Sequence, residues 1–294
     1  MMRPRSGPTV HHAVLAARLL SLRVGAGLSV TQAAASLGAH RTTVMRIERA
    51  ETALDAGQVR TLLERYGAGQ EEIRQFLSEL ATANLPGWWH PWRDVMDPWD
   101  LDLMNVESAA RMVRVWHPAL VPPLLRTPAY ARAVEDALGA DRSPADRARR
   151  VELLTERRAR LAERGARIWS LMTEAALRTR VGDGGIMEEQ LAALREAADR
   201  PDVILQVARL TDPPHPLSGV AALTLYRVDV PEIPDHVVRD SPVGPADVWS
   251  DTRTVTAYRT LIDQACAAAP HPSTPLPYPV PLSEADPSTP HPMT

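Results

Sequence analysis

Residues 27–51 read GLSVTQAAASLGAHRTTVMRIERAE. Ser29 is a residue type that caps a helix, because its side-chain oxygen accepts N–H groups that the first turn leaves free. Ala33, Ala34 and Leu37 then form the apolar side of a helix barely two turns long, and Gly38 suits the left-handed residue that ends it. His40 or the turn before it opens a third helix, RTTVMRIERAE, with Val44 and Ile47 facing inward and Arg41, Thr42, Met45, Arg46 and Arg49 elsewhere. Upstream, residues 11–24 (HHAVLAARLLSLRV) place Val14, Ala17, Leu20, Leu22 and Val24 near helical spacing, and Gly25 and Gly27 stop that helix. Downstream, VRTLLERYGA at 59–68 and EEIRQFLSELATA at 71–83 bring the total to five short helices.

The charge pattern sets this region apart. All 33 basic residues of the 294-residue chain are Arg, and 36 acids leave a formal net charge of -3. Residues 1–50 hold seven Arg against one acid, Glu48, so this stretch carries +6 and the remainder -9. The near-neutral total excludes a polybasic binder, while the asymmetry points to an anionic partner held by one end. The one cysteine, Cys266, permits neither an intramolecular disulfide nor a Cys-x-x-Cys zinc ribbon, which points to the cytosol. MMRPRSGPTV is not followed by the apolar run of a signal peptide, and no 18-residue uncharged apolar stretch is present. A soluble cytoplasmic chain without membrane association is expected.

Two short helices joined by the tight Leu37-Gly38-Ala39-His40 turn are what a helix-turn-helix requires: one crosses the DNA backbone, the next enters the major groove by its amino-terminal end. The stretch resembles the XRE-type (lambda-repressor-like) helix-turn-helix, whose pattern Gly27, Ser29, Ala34, Leu37, Gly38, Thr43, Val44, Ile47 and Glu48 match in register. DAGQVRTLLERYGAGQEE is similar to the continuation seen in actinomycete members. The resemblance implies a sequence-specific transcriptional regulator, in which Arg41, Thr42 and Arg46 fall where members read base edges. Thr43 falls where members touch phosphate or neighbouring base edges, and His40 and Arg49 complete the candidate set. Arg can hold guanine O6 and N7 with two hydrogen bonds, and Thr can offer its methyl to thymine. Arg18 and Arg23 of the first helix are candidates for phosphate contacts. The plainer reading of the same residues is a solvated arginine face. Val30 stands where many members carry a phosphate-binding Gln, and Ala50 replaces the usual Gly after the third helix. Members bind paired half-sites as dimers, so a homodimer on double-stranded DNA is expected.

At Leu85-Pro86-Gly87 the composition changes, and Trp88, Trp89, Trp92 and Trp99 crowd between prolines. The expected organisation is a flexible lead (1–10), an all-α helix-turn-helix domain (11–84), an α+β regulatory or effector domain (85–269) and a disordered Pro-rich tail (270–294). Helical patterns fall at 103–115, 128–139, 144–164, 172–181 and 187–199, strand-like runs at 203–209 and 220–228, weaker ones at 166–172 and 236–240, and a last helix at 252–268.

NVESAARMVRVWHPALVPPLLRTPAYARAV and the segments after it are similar to the uncharacterised domain that follows the helix-turn-helix in many actinomycete regulators, over about residues 85–268. Pro123 and Arg126 replace that domain's glycine and glutamine, residues 219–221 (Gly-Val-Ala) its Gly-Pro-Phe, and Arg239-Asp240 part of a Tyr-Val-Glu strand. Such relatives pair with a small protein encoded nearby, and the departures allow a second reading: a C-terminal domain repurposed as an enzyme or small-molecule binder of specialised metabolism, with a vestigial helix-turn-helix. No GxSxG, HExxH, P-loop or Rossmann fingerprint occurs, so no catalytic residue, metal or cofactor is assigned. His90 and His117 read as structural hydrogen-bonders. The charge run of 149–164 reads as intrahelical pairing, with an anion-binding helix as the sharper alternative. The Trp cluster reads as a clamp or, alternatively, the wall of a pocket.

Overall fold

The computed structural model describes residues 10–277 except 53, 98–99, 230–232 and 242–244, and omits the side chain of Asp102. Trp99, most of the expected lead and residues 278–294 of the expected tail therefore lie outside the described residues. The chain divides into two compact units, Met1–Arg111 with Arg227–Asp235, and Met112–Tyr226 with His236–Thr294.

The first unit is helical: α1 (Val10–Gly25), α2 (Val30–Ser36), α3 (Arg41–Glu48), α4 (Ala56–Arg65), α5 (Gln70–Ala83), a 3₁₀ turn at His90–Val95, and α6 (Asp100–Ala109). Sequence fixes the boundaries locally. Ser29 and Gln32 form a reciprocal capping box, with the Gln32 N–H donating to Ser29 Oγ (3.2 Å) and the Ser29 N–H to Gln32 Oε1 (2.8 Å). Asp55 accepts the N–H groups of Gly57 and Gln58 at the start of α4. Leu19, Val44, Ile47, Leu62, Leu63 and Phe76 are completely buried and form the centre of the core.

The inward face of α1 departs from the expected stripe. His12, Leu15, Ala16, Leu19 and Arg23 are buried, whereas Leu20 and Val24 are exposed. Two polar residues belong to the inner face because each finds a partner there: His12 Nε2 meets Asn84 Oδ1 at 3.1 Å, and Arg23 meets Glu48. Val10, Ala13 and Val14 pack instead on a small cluster of Ala109, Val228 and Ile233.

The second unit is built on a six-stranded mixed sheet in the order β3-β2-β1-β4-β5-β6: β1 (Ala110–His117), β2 (Arg167–Thr173), β3 (Val203–Ala208), β4 (Leu223–Val228), β5 (His236–Arg239) and β6 (Asp247–Trp249). β1, β2 and β3 are parallel, with Val113 opposite Ile168 and Ser170 opposite Leu205. β4, β5 and β6 are antiparallel, with Leu225 opposite Val237 and Val238 opposite Val248. The parallel crossovers carry α7 (Pro128–Leu138) with α8 (Pro144–Glu163), and α9 (Glu174–Arg178) with α10 (Gly184–Ala198); α11 (Thr252–Ala268) closes the fold. The all-α region followed by an α+β region agrees with the expected fold class.

One expected helix is divided. The pattern at 103–115 stays helical only to Ala109, and β1 begins at Ala110. Val113, Arg114, Val115 and Trp116 are consecutive buried residues, so this central strand lacks the alternation that marks a half-exposed one. Arg114 is tolerated inside because its guanidinium pairs with Asp263, donates to Cys266 Sγ (3.6 Å) and lies 4.5 Å from the Trp169 ring. β6 has no counterpart in the expected elements. Among the described residues no single helix is long and apolar enough to cross a membrane.

Candidate nucleic-acid interface

The α2–turn–α3 pair holds its geometry by two devices. Gly38 takes φ +60, the left-handed conformation that lets the chain turn back after α2. On the inner face of α3, Val44 and Ile47 are at 0% exposure and Glu48 is buried beside them. Glu48 accepts from Arg23 Nε (2.7 Å) and Nη2 (3.0 Å) and from the Tyr66 hydroxyl (3.3 Å), while Arg23 Nη1 donates to the Leu28 carbonyl at 2.7 Å. α1, α3 and α4 are thereby tied through one carboxylate. The hydrogen bond that Arg23 donates to Glu48 raises the Arg23 pKa, and burial, then Glu48, raises that of Tyr66.

The outer face is polar. His40, Arg41, Thr42, Arg46 and Arg49 are exposed and Thr43 is half-buried. Thr42, Met45, Arg46 and Arg49 follow helical spacing along one stripe, with Arg41 beside it on the first turn. Neither the Arg41 nor the Arg46 side chain makes an ion pair or hydrogen bond with another described residue. Arg49 lies 3.7 Å from Glu51, both well exposed, and the His40 side chain makes no capping bond.

Arg18 and Arg23 do not join this face. Arg23 is committed to Glu48 inside the core, which corrects its expected phosphate role. Arg18 pairs with Glu79 at 2.5 Å and lies over the Phe76 ring. Of the seven arginines in the first 50 residues, Arg3 and Arg5 lie outside the described residues. The outward charge of the described part therefore rests on Arg41, Arg46 and Arg49. The Arg23–Glu48–Tyr66 lock was not foreseen from the sequence; the in-register Glu48 was its only signal.

Two sequence families match. The family described as a helix-turn-helix domain matches residues 14–76, and the family described as a domain of unknown function (DUF5753) matches residues 101–274. The chain belongs to the DUF5753 family. No curated protein and no solved structure matches it. The DUF5753 match takes in the whole sheet, while the Trp-rich segment lies between the two matched regions. There Trp88 packs edge-on against Trp89 (5.7 Å between centroids) and Trp92 (6.3 Å), and its indole donates to Ser108 Oγ at 2.9 Å.

Within the DUF5753 domain, side chains anchor the loop after β1. The His117 ring accepts the Leu120 N–H, Arg126 Nε donates to the Val121 carbonyl (2.8 Å), and Gln190 bonds both Thr127 N and the Leu125 carbonyl. Burial, with repulsion from Arg126, lowers His117 to about 4; burial lowers Arg126 to about 10. On α8, Arg160 pairs with Glu156 and Glu163, whereas Arg150 and Arg147 reach Glu135 and Asp136 of α7 and Arg158 donates to the Arg126 carbonyl. The charge run is thus partly an interhelical fastening. Residues 219–221 and 239–240, distant in sequence, line one cleft of about 590 Å³ together with Ser241, Asp247 and residues of α11. Among the described residues no group of three or more His, Cys, Asp or Glu is placed to hold a metal ion.

Proposed function

We propose that this DUF5753 protein is a sequence-specific, XRE-type transcriptional regulator that reads the major groove with α3, and that its DUF5753 domain takes a ligand or a partner. The supporting observation is the outer face of α3. Arg41, Thr42 and Arg46 stand exposed on its first turns, uncommitted to other described side chains, while the opposite face is locked in the core. In this reading Arg41 and Arg46 bind guanine, and Thr42 contacts a thymine methyl. Thr43, His40 and Arg49 supply contacts at the flanks, to phosphates above all. One recognition helix spans only a few base pairs, so we infer a homodimer on paired half-sites, acting in the cytoplasm at the nucleoid.

Footprinting and fluorescence anisotropy on the DNA upstream of the coding sequence test the reading. A protected, two-fold symmetric site is expected, with binding lost in Arg41→Ala combined with Arg46→Ala. Absence of protection at low salt, or binding unaffected by the double substitution, refutes it. The second reading, a repurposed DUF5753 domain with a vestigial helix-turn-helix, is favoured by one observation, the gathering of 219–221 and 239–240 around a single cleft. Metabolite binding without any DNA binding would establish it.

A further inference from the structure

We propose that this cleft of the DUF5753 domain binds a small, electrically neutral molecule with a flat apolar body. The proposal rests on the reading of this domain as the ligand-taking part of the regulator. The place of the cleft, its apolar base and the engagement of its charged groups carry it.

The chain builds β1, β2 and β3 outward on one side and then returns to place β4 on the other side of β1. In open sheets ligands sit beyond the carboxyl ends of strands at such a reversal of strand order. The Trp116 indole, near the carboxyl end of β1, donates to the Val220 carbonyl at 2.9 Å, and the Asp240 N–H donates to the Ala222 carbonyl at 2.9 Å. These bonds bring both cleft segments to that end of the central strand. The space there, about 590 Å³, lies within the range of small-molecule sites.

The base of the cleft is apolar. Val220, Tyr258 and Leu261 line it as half-buried side chains that pack from outside on the core cluster containing Trp116, Leu223 and Ile262. Their burial is unfinished, and a ligand with an apolar body completes it. The Tyr258 ring is backed by Trp249, with centroids 5.2 Å apart and planes 31° apart, which makes it a fixed flat wall for another ring. Gly219, Ala221 and Ala257 leave room beside it, and a Cβ on Gly219 would meet open space.

The charged groups of the lining, Arg239, Asp240 and Asp247, are already engaged. Arg239 donates twice to Asp247, at 2.6 and 3.2 Å, and its guanidinium lies 5.2 Å from the Trp249 ring. Asp240 has interactions of its own and is attracted to Arg126. A ligand ammonium would have to compete with arginine for either carboxylate, and a ligand carboxylate would have to displace Asp247 from Arg239. A charge brought into the cleft therefore loses water without gaining an unengaged partner among the described residues. A neutral ligand leaves these pairs intact and gains the apolar contact.

Isothermal titration calorimetry of the full chain with tryptophol tests the assignment, with tryptamine and indole-3-acetate as its cationic and anionic counterparts. Tryptophol is expected to bind saturably with Kd on the order of millimolar or below. Each counterpart is expected to bind at least about fivefold more weakly, because its charge is desolvated without a partner. Gly219→Phe and Ala257→Trp add a ring at exposed positions of the lining and should each weaken tryptophol by at least about tenfold through steric exclusion. Binding of either charged counterpart as tight as that of tryptophol, no saturation by about 10 mM, or undiminished tryptophol binding in both variants overturns the proposal. Duplex DNA binding is read separately on the unsubstituted chain: DNA binding without tryptophol binding removes the cleft assignment alone, and tryptophol binding without DNA binding removes the regulator reading alone.

Discussion

Glu48→Ala should loosen the helix-turn-helix without touching its outer face. The carboxylate accepts two bonds from Arg23 and one from Tyr66, and the side chains of the pair are only 10% and 4% exposed. Its removal leaves the Arg23 guanidinium buried with the Leu28 carbonyl as its remaining acceptor. Breaking a buried pair in this way costs about 3–5 kcal/mol, a large fraction of the roughly 5–15 kcal/mol that holds a domain together. Hydrogen exchange read by mass spectrometry on peptides of α3 and α4 localises the effect. A loss of about 3 kcal/mol corresponds to roughly 150-fold faster exchange in that region. Combining Arg23→Met with Glu48→Leu should recover the protection to within about 1 kcal/mol, because the penalty of the single substitution is the stranded charge rather than a lost net attraction. Exchange in Glu48→Ala less than about threefold faster than in the unsubstituted chain, or a double variant no better than the single one, would refute this account.

Three further outcomes are expected. Gly38→Ala should destabilise the same unit by about 1–2 kcal/mol in urea unfolding followed by circular dichroism, the cost of a left-handed alanine alone, since a Cβ there would meet open space; an unchanged midpoint contradicts this. His117 holds a folded value of about 4 against an ordinary 6.5, so the unfolded chain takes up the proton first. The contribution of His117 to stability is thus fully present above about pH 6.5 and lost as pH falls toward about 4, by roughly 2–3 kcal/mol. NMR titration should show the His117 pKa rising in Arg126→Gln, and His117→Asn should flatten the pH dependence; a slope unaltered by that substitution would count against it. In DNA binding, Arg46→Ala should cost about 1–3 kcal/mol on the preferred sequence and little on random duplex, whereas equal loss on both would make Arg46 a phosphate contact only.

The legible parts of the sequence were the local ones. Ser29, Gly38 and the spacing of Val44 and Ile47 are sufficient to place α2, the turn and α3, because each acts within a few residues of itself. The inner face of α1 was misread because His12 and Arg23 are buried by virtue of Asn84 and Glu48, partners that lie far along the chain. β1 was hidden by its place at the centre of the sheet, where both faces are covered and the period-two signal vanishes. β6 is three residues long and exists by pairing with β5. The cleft was visible only as two unrelated places where the sequence departs from its family pattern; that they share one cavity follows from the return of the chain across β1.

That return also sets a timetable for synthesis. β1 emerges from the ribosome early, yet one of its edges waits for β2 and the other for β4, which lies roughly a hundred residues later. At ordinary translation rates the second edge stays unpaired for about 5–20 s. A buried, valine-rich strand left open for that time is a template for unwanted pairing. The contacts among α1 to α5 can form before β1 is made, and of this unit the patch of Val10, Ala13 and Val14 waits for Val228 and Ile233. Nascent chains arrested before residue 223 should therefore be caught by strand-binding chaperones through 110–117, with their amino-terminal helices already folded.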